Sequence, residues 1–318
     1  MEVETPKLLN DFLIYMTTIK GKSKRTRQEY EYDLSLLMRF LKGVRDGGET
    51  SSTQPISIKN VDITFIKEIT LEDLYAFLEY CEVARNNSAF ARARKVASIK
   101  SLFTYLTKKK RLLEYNPADE LETPKIGSRN PIYLTLKETH QFLSGIEKNH
   151  HYHRNYCMMM FLLNCGLRVS ELCSINLSSI QGDKLSVIGK GNKERTIYLN
   201  DICLSVLHNY IKEERGLVHN IKDQDALFLS QKGTRLNKRT VQRLVKKINE
   251  ESHLNKNKLT PHKLRHTAAT LIYKQNPDIR GLQYILGHES ISTTQIYTHV
   301  DSNELRTLVA SHPLNQPS

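Results

Sequence analysis

The chain has 318 residues, of which 39% are hydrophobic and 25% are charged. This composition supplies enough apolar material for one large or two ordinary domains, and it excludes the disordered and fibrous classes of protein. Lysine and arginine outnumber aspartate and glutamate by 47 to 34, so the formal net charge is +13 and a polyanion is the expected partner.

Basicity alone does not separate nucleic acid from an acidic protein or a membrane surface as the partner. The N-terminus shows no signal-peptide pattern, and no later stretch reaches the roughly 18 uninterrupted apolar residues of a membrane-spanning helix. We therefore expect a cytoplasmic protein without a membrane partner. The five cysteines are too few for a disulfide framework, and Cys157, Cys165 and Cys173 recur at a step that suits buried helix faces. No C-x-x-C pair is present, so no metal site is expected.

The first 111 residues show helical periodicity in four stretches, at residues 6–20, 23–43, 70–85 and 88–111. Ser23 and Thr70 stand at the N-cap positions of the second and third helices, and Gly43 is expected to end the second. The polar, Gly/Ser/Thr-rich stretch 44–60 is predicted to be an exposed loop.

The fourth predicted helix has two contrasting sides. One is an apolar stripe made of Val96, Ile99, Phe103 and Leu106. The other is small, polar and basic, with Arg94, Ser98 and Ser101, and such a surface can approach a phosphate backbone closely. A solvated surface is the commoner fate of a charged helix side, but basic clusters at 20–27 and 108–111 favour DNA. The candidate DNA contacts of this half are Arg25, Arg27, Arg92, Arg94, Lys95 and Lys100.

A stretch with three prolines and no periodicity, residues 114–131, predicts an interdomain linker. We therefore expect one domain over 1–115, a linker over 116–131 and a second domain over 132–318. The second domain is predicted to be mostly helical, with one hairpin in which "KLSVIG" and "KERTIYL" flank a turn at 190–192. The expected fold class is mainly α, with a small antiparallel sheet in the second domain.

Two stretches of the second domain place cationic side chains where an anion would bind. Thr260 is a natural N-cap and Pro261 a natural first helical residue, so His262 and Arg265 share a face at the positive end of a helix. His262 and His266 have the spacing of zinc-binding histidines, but the glutamate of the H-E-x-x-H pattern is missing. We expect an anion site here and no zinc.

Arg168 follows a glycine at a turn into another helix, and Glu171, three residues on, can hold its guanidinium group. Two arginines suit a phosphodiester, because each planar fork bonds two oxygens and stays charged; for each arginine alone, a surface ion pair is the ordinary alternative. The turn around Lys190 lacks the spacing of a phosphate-binding loop, so nucleotide hydrolysis is not expected. A lysine at such a tip can instead protonate a leaving oxygen.

Taken together, Arg168, Lys190, "HKLRH" at 262–266, "LGH" ending at His288, and Tyr297 resemble the active-site set of the tyrosine recombinase (phage integrase) family. The resemblance covers nearly the whole chain and is closest to the simple Xer-type recombinases. It implies a helical, SAM-like core-binding domain and a catalytic domain that together clamp duplex DNA. The polar loop at 44–60 is longer than we expect in Xer proteins, and no room for an arm-type DNA-binding domain is expected before the first helix.

The resemblance also implies a role for each residue. Tyr297 would attack the scissile phosphate to give a 3′-phosphotyrosyl link, and Lys190 would protonate the 5′-oxygen. His262 would assist proton transfer at the tyrosine, with Glu171 and His266 in supporting positions. Neither ATP nor a metal would be needed, so no cofactor is expected. The residues that would bind the non-bridging oxygens are Arg168, Arg265 and His288.

The implied partner is double-stranded DNA carrying a specific short site, with Arg239 and Arg243 as further candidate contacts. Four identical or paralogous copies would assemble through the C-terminal tail, under an accessory regulator. The biological role would be chromosome dimer resolution during cell division, or integration and excision of a mobile element. Two alternatives stay open: a type IB topoisomerase, which relaxes DNA by the same chemistry, and a regulator that binds DNA without cutting it.

Overall fold

The computed structural model describes residues 5–47, 56–125, 127, 132–254 and 256–287. It divides the chain into two compact units, residues 1–128 and 129–318. Helices dominate the described ranges, and a three-stranded antiparallel sheet lies in the second unit. The predicted fold class is confirmed. None of the helices in these ranges is both long and apolar enough to cross a membrane.

The first unit contains all four predicted helices and a short additional one. Ser23 and Thr70 cap their helices as predicted, accepting hydrogen bonds from the backbone amides of Thr26 and Asp73. After the last helix the backbone continues in a π-helical turn. The helices are α1 (Lys7–Thr18), α2 (Lys24–Arg45), α3 (Ile63–Lys67), α4 (Leu71–Val83) and α5 (Ala89–Thr104).

One expectation for the segment after α2 is wrong, and a second holds for the described residues except Ile58. Gly43 does not end the helix, which continues to Arg45 with Gly43 buried inside it. The left-handed backbone that favours glycine occurs instead at Gly47, with φ +66°. In the predicted exposed loop, Ile58 is only 2% exposed and belongs to the core of the unit. Residues 48–55 of this loop lie outside the described residues.

The predicted polar side of α5 is not a free surface, because α5 packs against α2 there. Lys95 is 2% exposed, and its Nζ lies 2.7 Å from Oδ1 of the buried Asp33. Ser98 is fully buried and donates to the Lys95 carbonyl at 2.8 Å. The expectation that Lys95 contacts DNA is therefore wrong: its ammonium group is paired inside the helix interface.

The second unit contains seven α-helices and three strands within the described ranges. Thr135 caps the first of these helices through a capping box with Glu138. The helices are α6 (Leu136–Ser144), α7 (Tyr152–Cys165), α8 (Val169–Ser174), α9 (Asp201–Glu213), α10 (Lys238–Glu251), α11 (Pro261–Gln275) and α12 (Ile279–Leu286). The strands are β1 (Ile180–Gln181), β2 (Lys184–Ile188) and β3 (Glu194–Tyr198).

Helix α7 lies at the centre of this unit and packs against α9 and α11. Cys157, Cys165 and Cys173 are free and buried, as their spacing predicted. Burial raises the pKa of the Cys173 thiol to about 11. These cysteines therefore act as small apolar residues of the core.

The predicted hairpin is present as β2 and β3, joined by a turn over Lys190–Asn192 in which Gly191 has φ +74°. Leu185, Val187 and Ile197 point into the core. Arg195 pairs with Val187 across the hairpin and also occupies an inward position, although it is charged. The strand alternation thus carries an arginine into the interior of the second unit.

We predict that Lys95→Met lowers the free energy of unfolding of the first unit by about 2 kcal/mol, because the buried Asp33 carboxylate loses its ammonium partner and keeps only the ion pair with Arg94 among those described. Hydrogen exchange of α2 and α5 peptides, followed across a urea series, measures the change. Lys100→Met on the same helix is the matched control; Lys100 donates only to an exposed carbonyl, and its loss should cost no more than about 0.5 kcal/mol. Equal effects of the two substitutions would contradict the pairing.

Candidate functional site

The first arginine of the site is set by a sharp turn at the end of α7. Gly166 adopts a left-handed conformation with φ +58°, and a Cβ there would lie 2.8 Å from Leu286 Cδ2. The chain therefore turns directly into α8, with Arg168 at its N-cap. The backbone amide of Arg168 donates a hydrogen bond to Glu171 Oε2 at 2.9 Å, and the Nη1 atom of the Arg168 side chain donates one to Glu171 Oε1 at 2.7 Å. The predicted contact between Arg168 and Glu171 is present.

The second arginine comes from α11, which begins as the sequence predicts. Thr260 caps the helix and Pro261 is its first residue. Arg265, one turn further on, is 2% exposed and donates from Nη1 to the Gly166 carbonyl at 2.8 Å. The same Nη1 lies 3.7 Å from Glu171 Oε2. Arg168 and Arg265 thus meet at one carboxylate from two different helices.

A third arginine, which the sequence reasoning missed, completes the cluster. Arg195 of β3 donates to both carboxylate oxygens of Glu171, at 3.1 Å from Nη1 and 2.9 Å from Nη2. The signal for it was present in the sequence: a strand that alternates inward and outward places this arginine inward beside Ile197.

Glu171 is ionised in this setting. Burial by itself would raise the pKa of Glu171, but hydrogen bonds from Arg195 and from Arg168 bring it below the usual value of a glutamate. Three guanidinium groups therefore surround a single carboxylate. The excess positive charge suits the binding of a second anion.

The three arginines also bind the C-terminal end of α12. Arg195 Nε donates to the Ile285 carbonyl at 3.0 Å, Arg265 Nη2 to the Leu286 carbonyl, and Arg168 Nη2 to the Gly287 carbonyl at 3.1 Å. Carbonyls at a helix C-terminus lack intrahelical partners and carry partial negative charge, so cations stabilise them. Each of three consecutive backbone carbonyls thus accepts a hydrogen bond from one arginine.

Helix α12 ends at Leu286, with Gly287 in a left-handed conformation. The next residue, His288, and the segment that contains Tyr297 lie outside the described residues. Their placement in the site therefore stays a prediction.

The two histidines of "HKLRH" contact each other at the start of α11. The Nε2 atoms of His262 and His266 lie 3.1 Å apart, with His266 buried and His262 exposed. Desolvation lowers the pKa of His262, and the positive charges of Arg265, Lys263 and Arg168 lower it further. His262 is therefore neutral at pH 7 and can accept a proton.

The hairpin turn that carries Lys190 approaches the same cluster. A Cβ on Gly189 would lie 3.4 Å from Arg195 Nη1 and 3.6 Å from Glu171 Oε1. The backbone immediately before Lys190 thus lies close to the arginine–carboxylate cluster. The structure describes Lys190 by its backbone alone.

An open cleft of about 1020 Å³ leads away from the cluster. Arg168 and Glu171 line it together with Gly189, and the first turns of α10 supply Lys238, Arg239 and Gln242. Arg243 is exposed on the same helix but is not part of the lining. The cleft is wide, and cationic groups from α8 and α10 line it.

The candidate DNA contacts of the first unit do not form such a cluster. Arg25 is largely exposed, and its ion pair is of the weak surface kind. Each of the others also has a partner within its own unit. The pairs are Arg25 with Glu29, Arg27 with Asn10, Arg92 with Glu82, Arg94 and Lys95 with Asp33, and Lys100 with the Asp119 carbonyl.

Comparison with known proteins places the chain in a family. The model of the phage integrase family matches residues 133–304. The tyrosine recombinase XerC of Caldanaerobacter subterraneus subsp. tengcongensis is 49% identical over 315 residues, covering 98% of this chain and 88% of the relative. The tyrosine recombinase XerD of Halalkalibacterium halodurans is 31% identical over 310 residues, covering 96% and 97% of the two chains.

Among solved structures, the XerH site-specific recombinase bound to a palindromic difH substrate, in a post-cleavage complex, shares the fold with a TM-score of 0.66 and 22% identity. The alignment covers 98% of both chains. The family model matches more than half of the chain, and curated relatives align along nearly all of it. The chain therefore belongs to the phage integrase family, and within it to the Xer-type tyrosine recombinases.

Proposed function

We propose that this chain cuts and rejoins DNA strands at a specific site through a 3′-phosphotyrosyl intermediate. The observation that carries the proposal is the meeting of Arg168 and Arg265 at the buried Glu171 carboxylate, with Nη1-to-oxygen distances of 2.7 and 3.7 Å. Two guanidinium groups held side by side suit the two non-bridging oxygens of a phosphodiester.

Charge develops on those oxygens as the phosphate passes through its transition state. Arg168 and Arg265 are fixed in advance by Glu171 and by backbone carbonyls, so little reorganisation is needed when the charge appears. His288 would follow directly on Gly287, whose carbonyl Arg168 binds, and would donate a further hydrogen bond to the phosphate.

Tyr297 would supply the nucleophile. Its phenol oxygen attacks phosphorus, the bond from phosphorus to the 5′-oxygen breaks, and the DNA is left with a free 5′-hydroxyl. A free tyrosine has a pKa of about 10, so only about one molecule in a thousand is phenolate at neutral pH. Neutral His262 would take up the phenol proton, with His266 orienting its ring, and Lys190 would give a proton to the departing oxygen.

The covalent link keeps the energy of the phosphodiester, so rejoining would need no ATP. The positive charge that two-metal nucleases draw from metal ions would come here from Arg168, Arg265 and His288. We therefore propose a reaction that is independent of metal and nucleotide.

The core-binding domain predicted over 1–115 would fall in the first unit and the catalytic domain predicted over 132–318 in the second, with the predicted linker over 116–131 between them. The relative crystallised on a palindromic substrate supports a short, partly palindromic site for this chain. Four identical or paralogous copies would assemble there through the C-terminal tail, which lies outside the described residues, under an accessory regulator. Because the DNA of a bacterial cell is cytoplasmic, we propose that location.

Phosphate contacts outside the catalytic cluster would come from both units. Arg239 and Arg243 are exposed on α10, and Arg239 lines the cleft beside Arg168. Exposed ion pairs contribute little stability, so Arg25 can exchange the Glu29 carboxylate for a phosphate. The contacts proposed for the first unit are Arg25, Arg27, Arg92, Arg94 and Lys100.

Tyr297→Phe is expected to abolish the covalent adduct with a nicked suicide duplex, because the attacking oxygen is removed. Affinity for the same duplex should stay within about twofold, since the phosphate contacts remain. Denaturing electrophoresis measures the adduct and gel retardation measures binding. Wild-type adduct levels in the variant would exclude Tyr297 as the nucleophile.

The pH dependence of adduct formation tests His262. Its pKa lies below the ordinary 6.5, so the ring is neutral at pH 7 and gains a proton only in more acidic solution. At subsaturating DNA, we expect the wild-type rate to decrease in acidic solution, with a midpoint below pH 6.5. His262→Gln should be slower and should lose this acidic fall. If the rate of adduct formation by His262→Gln decreased at low pH as in the wild type, the assignment would be contradicted.

A further inference from the structure

Arg195 has no role in the proposed reaction, yet its surroundings are unusual. It is a charged residue at an inward position of β3, 9% exposed, where an aliphatic residue would fit the core. A buried ion pair is often no more stabilising than well-packed apolar residues of similar volume, because both charges lose their hydration. Packing of the core therefore does not explain why an arginine occupies this position, and a role in positioning neighbouring groups of the site does.

Arg195 uses its three nitrogens on two parts of the site. Nη1 and Nη2 hold the two oxygens of Glu171, and Nε binds the Ile285 carbonyl at 3.0 Å. Glu171 in turn contacts Arg168 and Arg265. The end of α12 is thereby fixed relative to the arginine pair.

Two glycines are in contact with the same guanidinium group. A Cβ on Gly287 would lie 3.1 Å from Arg195 Nη1, and a Cβ on Gly189 would lie 3.4 Å from it. Gly189 immediately precedes Lys190, and Gly287 immediately precedes His288. The backbone leading into each of these two residues therefore lies close to Arg195 Nη1.

We propose that Arg195 is a positioning residue for strand cleavage, which sets the hairpin turn of Lys190 against the arginine pair. This inference rests on the proposed function. Arg195 would touch neither DNA nor the reacting atoms; it would act through Glu171 and Gly189.

The planar fork of arginine is required for this task. Lysine has one ammonium group and cannot reach both Glu171 oxygens and the Ile285 carbonyl together. Methionine fills the space but leaves Glu171 short of a partner. Misplacing a reacting group by about 1 Å can cost about 100-fold in rate, so we expect Arg195→Lys and Arg195→Met to cleave about 100-fold more slowly.

The test compares two suicide duplexes, one with the natural scissile phosphate and one with sulfur in place of its 5′-bridging oxygen. A thiolate leaves without being protonated, so cleavage of the sulfur substrate does not need a positioned Lys190. Under single turnover, both Arg195 variants should lose about 100-fold on the oxygen substrate and less than about tenfold on the sulfur substrate. Lys190→Ala calibrates the assay and should show the same selective loss.

Arg154→Met is the matched control. Arg154 is a buried arginine of the same unit that binds the Leu229 carbonyl at 2.9 Å, away from the cluster. Any effect of its loss should be equal on the two substrates. Melting temperature and DNA affinity identify variants that do not fold.

A second variant is used if both Arg195 variants fail to bind DNA. Gly189→Val places a larger side chain against Arg195 from the Lys190 turn, and it must then show the same selective loss on the oxygen substrate.

The possible outcomes separate the two levels of the hypothesis. Arg195 variants that bind DNA and cleave both substrates at the wild-type rate, or that slow both equally, would overturn the positioning role. If the wild-type chain forms no Tyr297-dependent adduct, the proposed function itself fails. If Lys190→Ala loses equally on both substrates, the role of Lys190 as the acid fails, and the positioning role fails with it.

Discussion

A single buried carboxylate, that of Glu171, organises the site. Three guanidinium groups would repel one another if brought together in a low-dielectric interior, and Glu171 offsets that repulsion by contacting all three. The arginines come from α8, β3 and α11, so this one interaction ties together elements that are far apart in the sequence. The sharp turn at Gly166 and the hairpin register bring Arg168 and Arg195 to it. The result is a rigid cationic centre inside the fold, open to a cleft on one side.

The same arginines bind the last carbonyls of α12, which links the anion site to the segment that follows. Because Ile285, Leu286 and Gly287 are each bound by one arginine, the chain leaves the helix from a fixed point beside the cluster. The segment proposed to carry the nucleophile therefore starts from a point fixed beside the groups proposed to bind the phosphate.

Much of the site was predictable because its signals are local. The cap at Thr260, the Pro261 helix start, the turn before Arg168 and the Lys190 hairpin all depend on residues within a few positions of each other. What failed depended on distant partners. Lys95 resembles a DNA contact in the sequence, but it pairs with Asp33, 62 residues away, and no periodicity reveals that. Arg195 was missed because its partner lies on another element. Its inward position alone is visible in the strand pattern. His288 and Tyr297 stay predictions from the resemblance, since a histidine and a tyrosine in such a segment would otherwise be interpreted as ordinary packing residues.

The most direct test of this arrangement is a crystal structure of the chain trapped on a suicide duplex. We expect a phosphodiester linked to Tyr297 Oη, with its non-bridging oxygens about 2.8 Å from guanidinium nitrogens of Arg168 and Arg265, and with Glu171 still bound between those arginines. A phosphate attached to another residue, or arginines that have left Glu171 to reach the DNA, would contradict a site built in advance around that carboxylate.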